Sequence, residues 1–126
     1  MEKELPVRSL TLCLVAVLLF ASSSFAASVI PEVPAKGMVT MVDLGAKSCI
    51  PCKMMMPVME AVEKEYEGKA AIIFIDVWEN PDQSKKYSLR AIPTQIFYDK
   101  DGKEVYRHEG YFDKKAISEI LDKLLK

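Results

Sequence analysis

Cys49 and Cys52, separated by two residues, are the side chains in this sequence with the clearest capacity for chemistry. They lie in the stretch GAKSCIPCKMMMP, residues 45–57. A pair with this spacing can be a redox-active disulfide, part of a metal site or a structural cross-link. Because a disulfide that closes only two intervening residues removes little entropy from the unfolded chain, the structural cross-link is the weakest of the three.

The sequence offers few partners for a metal at this pair. Zinc needs about four ligands, commonly two such pairs or one pair with two histidines, whereas the only histidine is His108. Copper(I) is the better candidate because it binds soft thiolate and thioether sulfur, and several methionines follow closely: Met54, Met55, Met56 and Met59. Helical spacing distributes these methionines around a helix, so most should fill the core or face a partner. We therefore expect neither a metal nor an organic cofactor, with a copper(I)-carrying module as the alternative function.

Residues 1–26 differ in character from the remainder of the chain. A head containing Lys3 and Arg8 precedes the apolar run LTLCLVAVLLF, residues 10–20, and the small-residue stretch ASSSFAA follows it. This order is typical of a secretory signal peptide, and the run is shorter than the roughly 20 apolar residues that span a bilayer. We expect cleavage after Ala26, which leaves residues 27–126 as one domain; an uncleaved membrane anchor is the alternative.

Removal of this leader would also remove Cys13, so that Cys49 and Cys52 are the cysteines of the mature chain. Export would place the pair in an oxidising compartment, either the periplasm or the extracellular space. The 17 basic and 18 acidic residues nearly cancel, and the basic residues do not cluster among aromatic ones. We therefore expect no nucleic-acid partner.

Hydrophobic patterning predicts the elements that position the two cysteines. The stretch GMVTMVDLGA, residues 37–46, predicts a buried strand that ends near Gly45. A helix should begin at Ile50, and Gly68 should supply its C-terminal stop. Its buried stripe should comprise Met55, Met59, Val62 and Tyr66.

The cysteine pair would then lie at a strand-to-helix junction. Backbone N–H groups without partners and the helix dipole favour a thiolate at the first cysteine. The second cysteine lies about one turn into the helix, within disulfide reach. These positions predict that Cys49 is the nucleophile and that Cys52 resolves the mixed disulfide.

The remainder of the chain alternates between strands and helices. The run AAIIFIDVW, residues 70–78, predicts a strand buried on both faces with parallel neighbours, and Trp78 should pack at its end. A short helix at residues 82–87 and a hairpin with strands at 95–98 and 103–108 should follow, with His108 an ordinary surface residue. The C-terminal helix should bury Ile117, Ile120, Leu121, Leu124 and Leu125. This order predicts an α/β fold with a central mixed sheet flanked by helices.

The sequence resembles the thioredoxin family over nearly all of residues 27–126. VDLGAKSCIPCKMMMP, residues 42–57, resembles the active-site segment of that family, and RAIPT, residues 90–94, resembles its loop with a cis proline. The resemblance implies a thioredoxin fold. Because few residues precede the first predicted strand, this fold should be trimmed at its N-terminus, with a short strand at residues 28–33.

The resemblance implies a role for each matching residue. Asp43, buried beneath Cys52, would accept the proton of the resolving thiol; a plain buried and hydrogen-bonded acid is the alternative. Pro93 would be the cis proline packed against the disulfide, and the backbone of Ile92 would pair with an extended substrate segment. Further substrate contacts would come from Ile50, Pro51 and Gly110.

Three positions depart from the family pattern. Gly45 and Ser48 stand where aromatic residues are usual, and Phe74 replaces a lysine that is common near the buried acid. These changes should alter the partner surface and the surroundings of Asp43.

The resemblance also implies thiol-disulfide exchange with protein substrates. Reducing members commonly have proline before the second cysteine, as at Pro51, whereas strong oxidants and isomerases tend to have histidine there. We therefore expect a monomeric reductase whose redox group is the Cys49–Cys52 disulfide, and a membrane thiol protein as its electron donor.

Overall fold

The computed structural model describes residues 29–126. The predicted signal peptide and its cleavage site lie outside these residues. The described part of the chain consists of β1 (Val39–Gly45), α1 (Ile50–Glu65), β2 (Ala70–Asp76), α2 (Pro81–Lys86), β3 (Thr94–Tyr98), β4 (Glu104–Glu109) and α3 (Lys114–Leu124).

The strands form one mixed sheet in the order β2-β1-β3-β4. β1 is parallel to β2 and antiparallel to β3, and β3 pairs antiparallel with β4. The predicted mixed sheet, the helix that follows β1 and the β3–β4 hairpin are therefore confirmed.

Two apolar clusters cover the two faces of this sheet. Successive residues of a strand point to opposite faces, so Met41 of β1 belongs to the cluster beneath α1 and α3, while Val42 belongs to the cluster on the other face. The predicted buried stripe of α1 lies in the first cluster, together with Ile117 and Leu121 of α3. The helix periodicity thus identified the faces of α1 and α3 that contact the sheet.

Three expectations at the margins of the fold are wrong. Leu125 is 39% exposed because it caps the end of α3 rather than continuing its buried face. The middle of β2, residues 71–74, is only half-buried, since among the described residues β1 is its one strand neighbour. Residues 29–33 form no strand, and Ile30 and Val33 instead pack against the second cluster.

The described helices do not suggest a membrane span. Within residues 29–126, none of them combines the length and the apolar character needed to cross a bilayer.

Candidate active site

The two cysteines lie at the N-terminus of α1. Cys49 is the N-cap residue, with an extended backbone, and its Sγ accepts a hydrogen bond from the Cys52 backbone N at 3.4 Å. Pro51 occupies the first turn, where its missing N–H removes no intrahelical hydrogen bond. The helix therefore begins at the position that the sequence predicts, and its unpaired N–H groups face the first cysteine.

Cys49 and Cys52 are joined by a disulfide, with their Cα atoms 5.2 Å apart. Their exposure differs: Cys49 is half-buried, whereas Cys52 has only 1% of its surface exposed. An external sulfur can therefore approach Cys49 more readily than Cys52. This asymmetry suits a pair in which one sulfur meets the substrate and the other acts within the protein.

The end of β1 lies directly below this disulfide because Gly45 has no side chain. A Cβ atom placed on Gly45 would be 3.2 Å from the Cys52 Cβ, 3.3 Å from the Cys52 Sγ and 3.3 Å from the Phe74 ring. Phe74 of β2 therefore borders the space beside Cys52. The departures from the family pattern at Gly45 and Phe74 thus meet at one point of the site.

Asp43 lies two residues before Gly45 on the same face of β1, in a fully buried position. Its Oδ1 accepts a hydrogen bond from Gln95 Nε2 at 2.8 Å, while its Oδ2 has no hydrogen-bond partner among the described residues. Burial raises the pKa of Asp43 to about 6, and the hydrogen bond from Gln95 opposes that rise. The site thus contains an acid that can exchange a proton close to neutral pH.

Pro93 and Gly110 form the loop region at the ends of β3 and β4. The Ile92–Pro93 peptide bond is cis, as the resemblance implies. Gly110 N donates a hydrogen bond to Pro93 O at 2.7 Å. Gly110 has φ 96°, a conformation that favours glycine, and a Cβ there would meet no atom within 4 Å.

The apolar residues near the disulfide are exposed to different extents. Ile50 is 76% exposed, Ile92 is half-buried, and Pro93 is buried. Ile50 is therefore available to a partner, as the resemblance implies for a substrate contact.

Asp76 is a site residue that the sequence patterns did not reveal. Its Oδ2 accepts from Lys47 N at 2.9 Å, and its Oδ1 accepts from Trp78 N at 2.9 Å and Glu79 N at 3.1 Å. Burial alone would raise the pKa of Asp76, but these backbone hydrogen bonds hold it below its ordinary value. Asp76 thereby ties the loop before Cys49 to the loop after β2, and an aspartate that ends a strand before a turn is the signal that could have indicated this role.

Two aromatic predictions near the site have different outcomes. Trp78 is 59% exposed, so the expectation that it packs at the end of its strand is wrong. It follows β2 in the turn that Asp76 fixes, and its side chain lies outside the core. His108 is half-buried rather than fully at the surface, because its ring stacks on Phe112 with centroids 4.0 Å apart.

The methionines beside the pair are divided between the core and the surface. Met55 and Met59 lie in the apolar core, and Met54 is 55% exposed. Met55 Sδ accepts a hydrogen bond from Phe112 N at 3.2 Å. Their distribution agrees with the prediction that most of these methionines fill the core or face outward.

A Cys-x-x-Cys disulfide at a helix N-terminus, above a mixed sheet and beside a buried acid, defines the class of thiol-disulfide oxidoreductases. The family model described as Thioredoxin matches residues 16–123. The chain is 46% identical over 87 residues to the thioredoxin of Staphylococcus aureus strain Mu50. The aligned region covers 69% of this chain and 83% of that relative. The thioredoxin of Staphylococcus aureus strain MW2 has the same identity and coverage.

Solved structures show the same fold. A chloroplastic thioredoxin z is 31% identical, with a TM-score of 0.64 over 70% of this chain and 79% of that chain. A malarial protein is 21% identical, with a TM-score of 0.65 over 71% of this chain and 99% of that chain, and its likeness concerns the fold alone. The chain belongs to the thioredoxin family and has thioredoxin-type thiol-disulfide oxidoreductase activity, with Cys49 and Cys52 as the redox-active pair.

The raised pKa of Asp43 predicts how the stability of the fold depends on pH. The folded protein retains the Asp43 proton up to a pH of about 6, whereas the unfolded chain releases it near 3.8. Stability from this group is therefore present below pH 3.8 and is lost as the pH rises through 6. Asp43→Asn should gain unfolding free energy relative to the parent as the pH rises from 4 to 7.5, by about 2 to 3 kcal/mol.

Urea unfolding of both oxidised proteins at a series of pH values measures this gain. If the difference in unfolding free energy between the two proteins does not change with pH, the pKa of Asp43 is not raised by folding.

Proposed function

We propose that this protein is an extracytoplasmic reductase of protein disulfides. The observation that carries the proposal is the asymmetric sulfur pair at the N-terminus of α1, with Cys49 accessible and Cys52 buried. The predicted leader, residues 1–26, supports export to the periplasm or the extracellular space.

The reaction begins with the reduced pair. The Cys49 thiolate, favoured by the unpaired N–H groups of α1, attacks one sulfur of the substrate disulfide and displaces the other as a thiolate. This step forms a mixed disulfide between Cys49 and the substrate. Cys52 Sγ then attacks Cys49 Sγ, forms the Cys49–Cys52 disulfide and displaces the second substrate thiolate. Two electrons pass from the protein to the substrate.

The second step requires a deprotonated Cys52. The Cys52 thiol is buried, so solvent is a poor acceptor for its proton. Asp43 is the acceptor in our proposal, because its pKa of about 6 leaves it mostly ionised at neutral pH. Two residues of β-strand span about 6.6 Å, so in this proposal one water molecule relays the proton from the sulfur above Gly45 to the Asp43 carboxylate.

The substrate is an extended protein segment in this proposal. The backbone of Ile92, before the buried Pro93, supplies hydrogen-bonding groups for such a segment, while Ile50 and Pro51 supply apolar contacts. Gly110 lacks a side chain at the rim of the same loop region, which leaves room for the segment.

The direction of electron flow follows from the residues between the cysteines. Ile50 and Pro51 carry no charge, so neither adds to the stability of the Cys49 thiolate. A less stabilised thiolate makes the dithiol a better electron donor. A reductant outside the cytoplasm needs a membrane thiol protein to restore its electrons, because soluble cytosolic reductases cannot reach it.

Trapping of the mixed disulfide tests the assignment of the two sulfurs. The parent should catalyse reduction of insulin by dithiothreitol, and both Cys49→Ser and Cys52→Ser should abolish that catalysis. Cys52→Ser should retain a stable mixed disulfide with an insulin chain, detected by intact mass, whereas Cys49→Ser should retain little. Equal alkylation of the two thiols at mildly acid pH would refute the assignment.

The same preparation distinguishes the copper(I) alternative. The reduced parent is titrated anaerobically with copper(I) beside the insulin assay. The reductase proposal predicts insulin reduction that depends on both sulfurs. Stoichiometric copper(I) binding together with absent insulin reduction would instead favour a copper-carrying module.

Export is tested by the mass of the protein recovered from the extracytoplasmic fraction. The small residues Ser24 and Ala26 precede the expected cleavage point, so the mature chain should begin at Ala27. A full-length chain in the membrane fraction would instead indicate an uncleaved, membrane-anchored protein.

A further inference from the structure

Gln95 is a fully buried glutamine in β3, a strand that otherwise consists mainly of apolar and hydroxyl-bearing residues. It pairs across the sheet with Asp43, and its Nε2 donates to Asp43 Oδ1 at 2.8 Å. Gln95 Oε1 and Asp43 Oδ2 both lack a hydrogen-bond partner among the described residues. Each of the two side chains therefore has one polar atom engaged and one polar atom free.

A buried amide oxygen without a hydrogen-bond partner costs free energy, so such an atom in a folded protein calls for an explanation. An ionised carboxylate only accepts hydrogen bonds, and the Nε2 group of Gln95 supplies a donor for it. A protonated carboxyl instead needs an acceptor for its own proton. The Oε1 atom of the same carboxamide becomes that acceptor when the amide turns over about its last side-chain bond.

We propose that Gln95 is a positioning residue of the redox reaction, whose carboxamide holds the Asp43 carboxyl group in place in both its ionised and its protonated form. This inference rests on the proposed function, in which Asp43 accepts the proton of Cys52. When Cys52 Sγ loses its proton to Asp43, the sulfur's electron pair forms the bond to Cys49 Sγ and the substrate thiolate leaves. Before this proton transfer, Gln95 Nε2 donates a hydrogen bond to the Asp43 carboxylate. After the transfer, Gln95 Oε1 accepts a hydrogen bond from the protonated carboxyl group.

The surroundings of Asp43 leave this task to Gln95. β2 presents Phe74 opposite Asp43, where the family commonly has a lysine, and α1 places Cys52 above the neighbouring Gly45. β4 presents His108 one strand beyond Gln95. The titratable groups nearest to Asp43 on these elements are Cys52 and His108, with Asp76 two residues farther along β2, opposite Gly45. None of the three hydrogen-bonds to Asp43, so Gln95 is its one side-chain partner in the described part of the chain.

The test replaces the carboxamide with an apolar group of similar length. In Gln95→Met, Asp43 loses the hydrogen bond to its ionised form and the one to its protonated form. Because the charge-assisted bond to the ionised form is the stronger of the two, the Asp43 carboxyl carbon should titrate about one pH unit higher in the oxidised protein. The pH profile of insulin reduction should move to higher pH by a similar amount. Carbon-13 NMR of the Asp43 carboxyl and initial rates between pH 5 and 9 provide the two readouts.

Gln83 offers a matched control. It is also a buried glutamine, 5% exposed, and its Nε2 donates to the Asp82 carboxylate at 2.6 Å. It lies on α2, whose neighbours Tyr87 and Leu89 pack on the face of the sheet away from α1. Gln83→Met should therefore leave both the Asp43 titration and the pH profile unchanged. An Asp43 midpoint that is the same in Gln95→Met and in the parent would overturn the proposal.

A second variant keeps the test decisive if Gln95→Met does not fold. In Gln95→Glu a second carboxyl group faces that of Asp43. The pair should retain one proton well above the pH of the parent midpoint, so the titration should show two separate steps. A single unshifted step for Asp43 would again overturn the proposal.

Asp43→Asn separates this inference from the proposed function. If Asp43→Asn does not alter the pH profile of insulin reduction, Asp43 is not the proton acceptor. The positioning role of Gln95 is then rejected as well, even if NMR shows the contact between Gln95 and Asp43. A profile altered by Asp43→Asn but unaffected by Gln95→Met would reject the role of Gln95 alone. Loss of insulin reduction in the parent itself would instead reject the reductase proposal.

Discussion

The reactivity of Cys49 depends on the first turn of α1, where backbone N–H groups have no partners within the helix. These groups attract negative charge and lower the cost of a thiolate at the N-cap position. The rest of the site serves to place this turn over the sheet. Gly45 allows the end of β1 to approach Cys52 closely, and Asp76 fixes the loop that joins the strand to the helix.

A second constraint is the burial of a carboxyl group beneath the same turn. Asp43 reduces the stability of the fold at neutral pH because burial disfavours its ionised form. The sheet places Phe74 on one side of Asp43 and Gln95 on the other, so one neighbour is apolar while the other supplies a hydrogen bond. Such a cost is expected at a functional site, where a proton must move at a pH near neutral.

Local patterns in the sequence predicted the helices and strands nearest the cysteines well. The alternation in β1 and the apolar stripe of α1 are strong periodic signals, and the spacing of Cys49, Cys52 and Pro93 matched a known active-site arrangement. The predictions for Trp78 and Leu125 failed because an apolar residue at the end of an element can lie either inside or outside the core. Periodicity does not distinguish these positions.

The contact between Asp43 and Gln95 could not be predicted from local pattern at all. It depends on the register of two strands that are far apart in the sequence, and a shift by one residue would turn Gln95 to the other face of the sheet. A glutamine among apolar and hydroxyl-bearing residues was the available signal, but it does not identify its partner. The half-buried state of β2 likewise reflects its place in the strand order.

The reduction potential of the Cys49–Cys52 pair is the most direct measure of the proposed reductase function. Equilibration of the protein with dithiothreitol or glutathione buffers, followed by alkylation and mass analysis, determines it. A reductase should have a potential nearer to the roughly −270 mV of thioredoxin than to the roughly −120 mV of a strongly oxidising thiol protein. A potential above about −150 mV would contradict the reductase function and would identify the protein as a donor of disulfides.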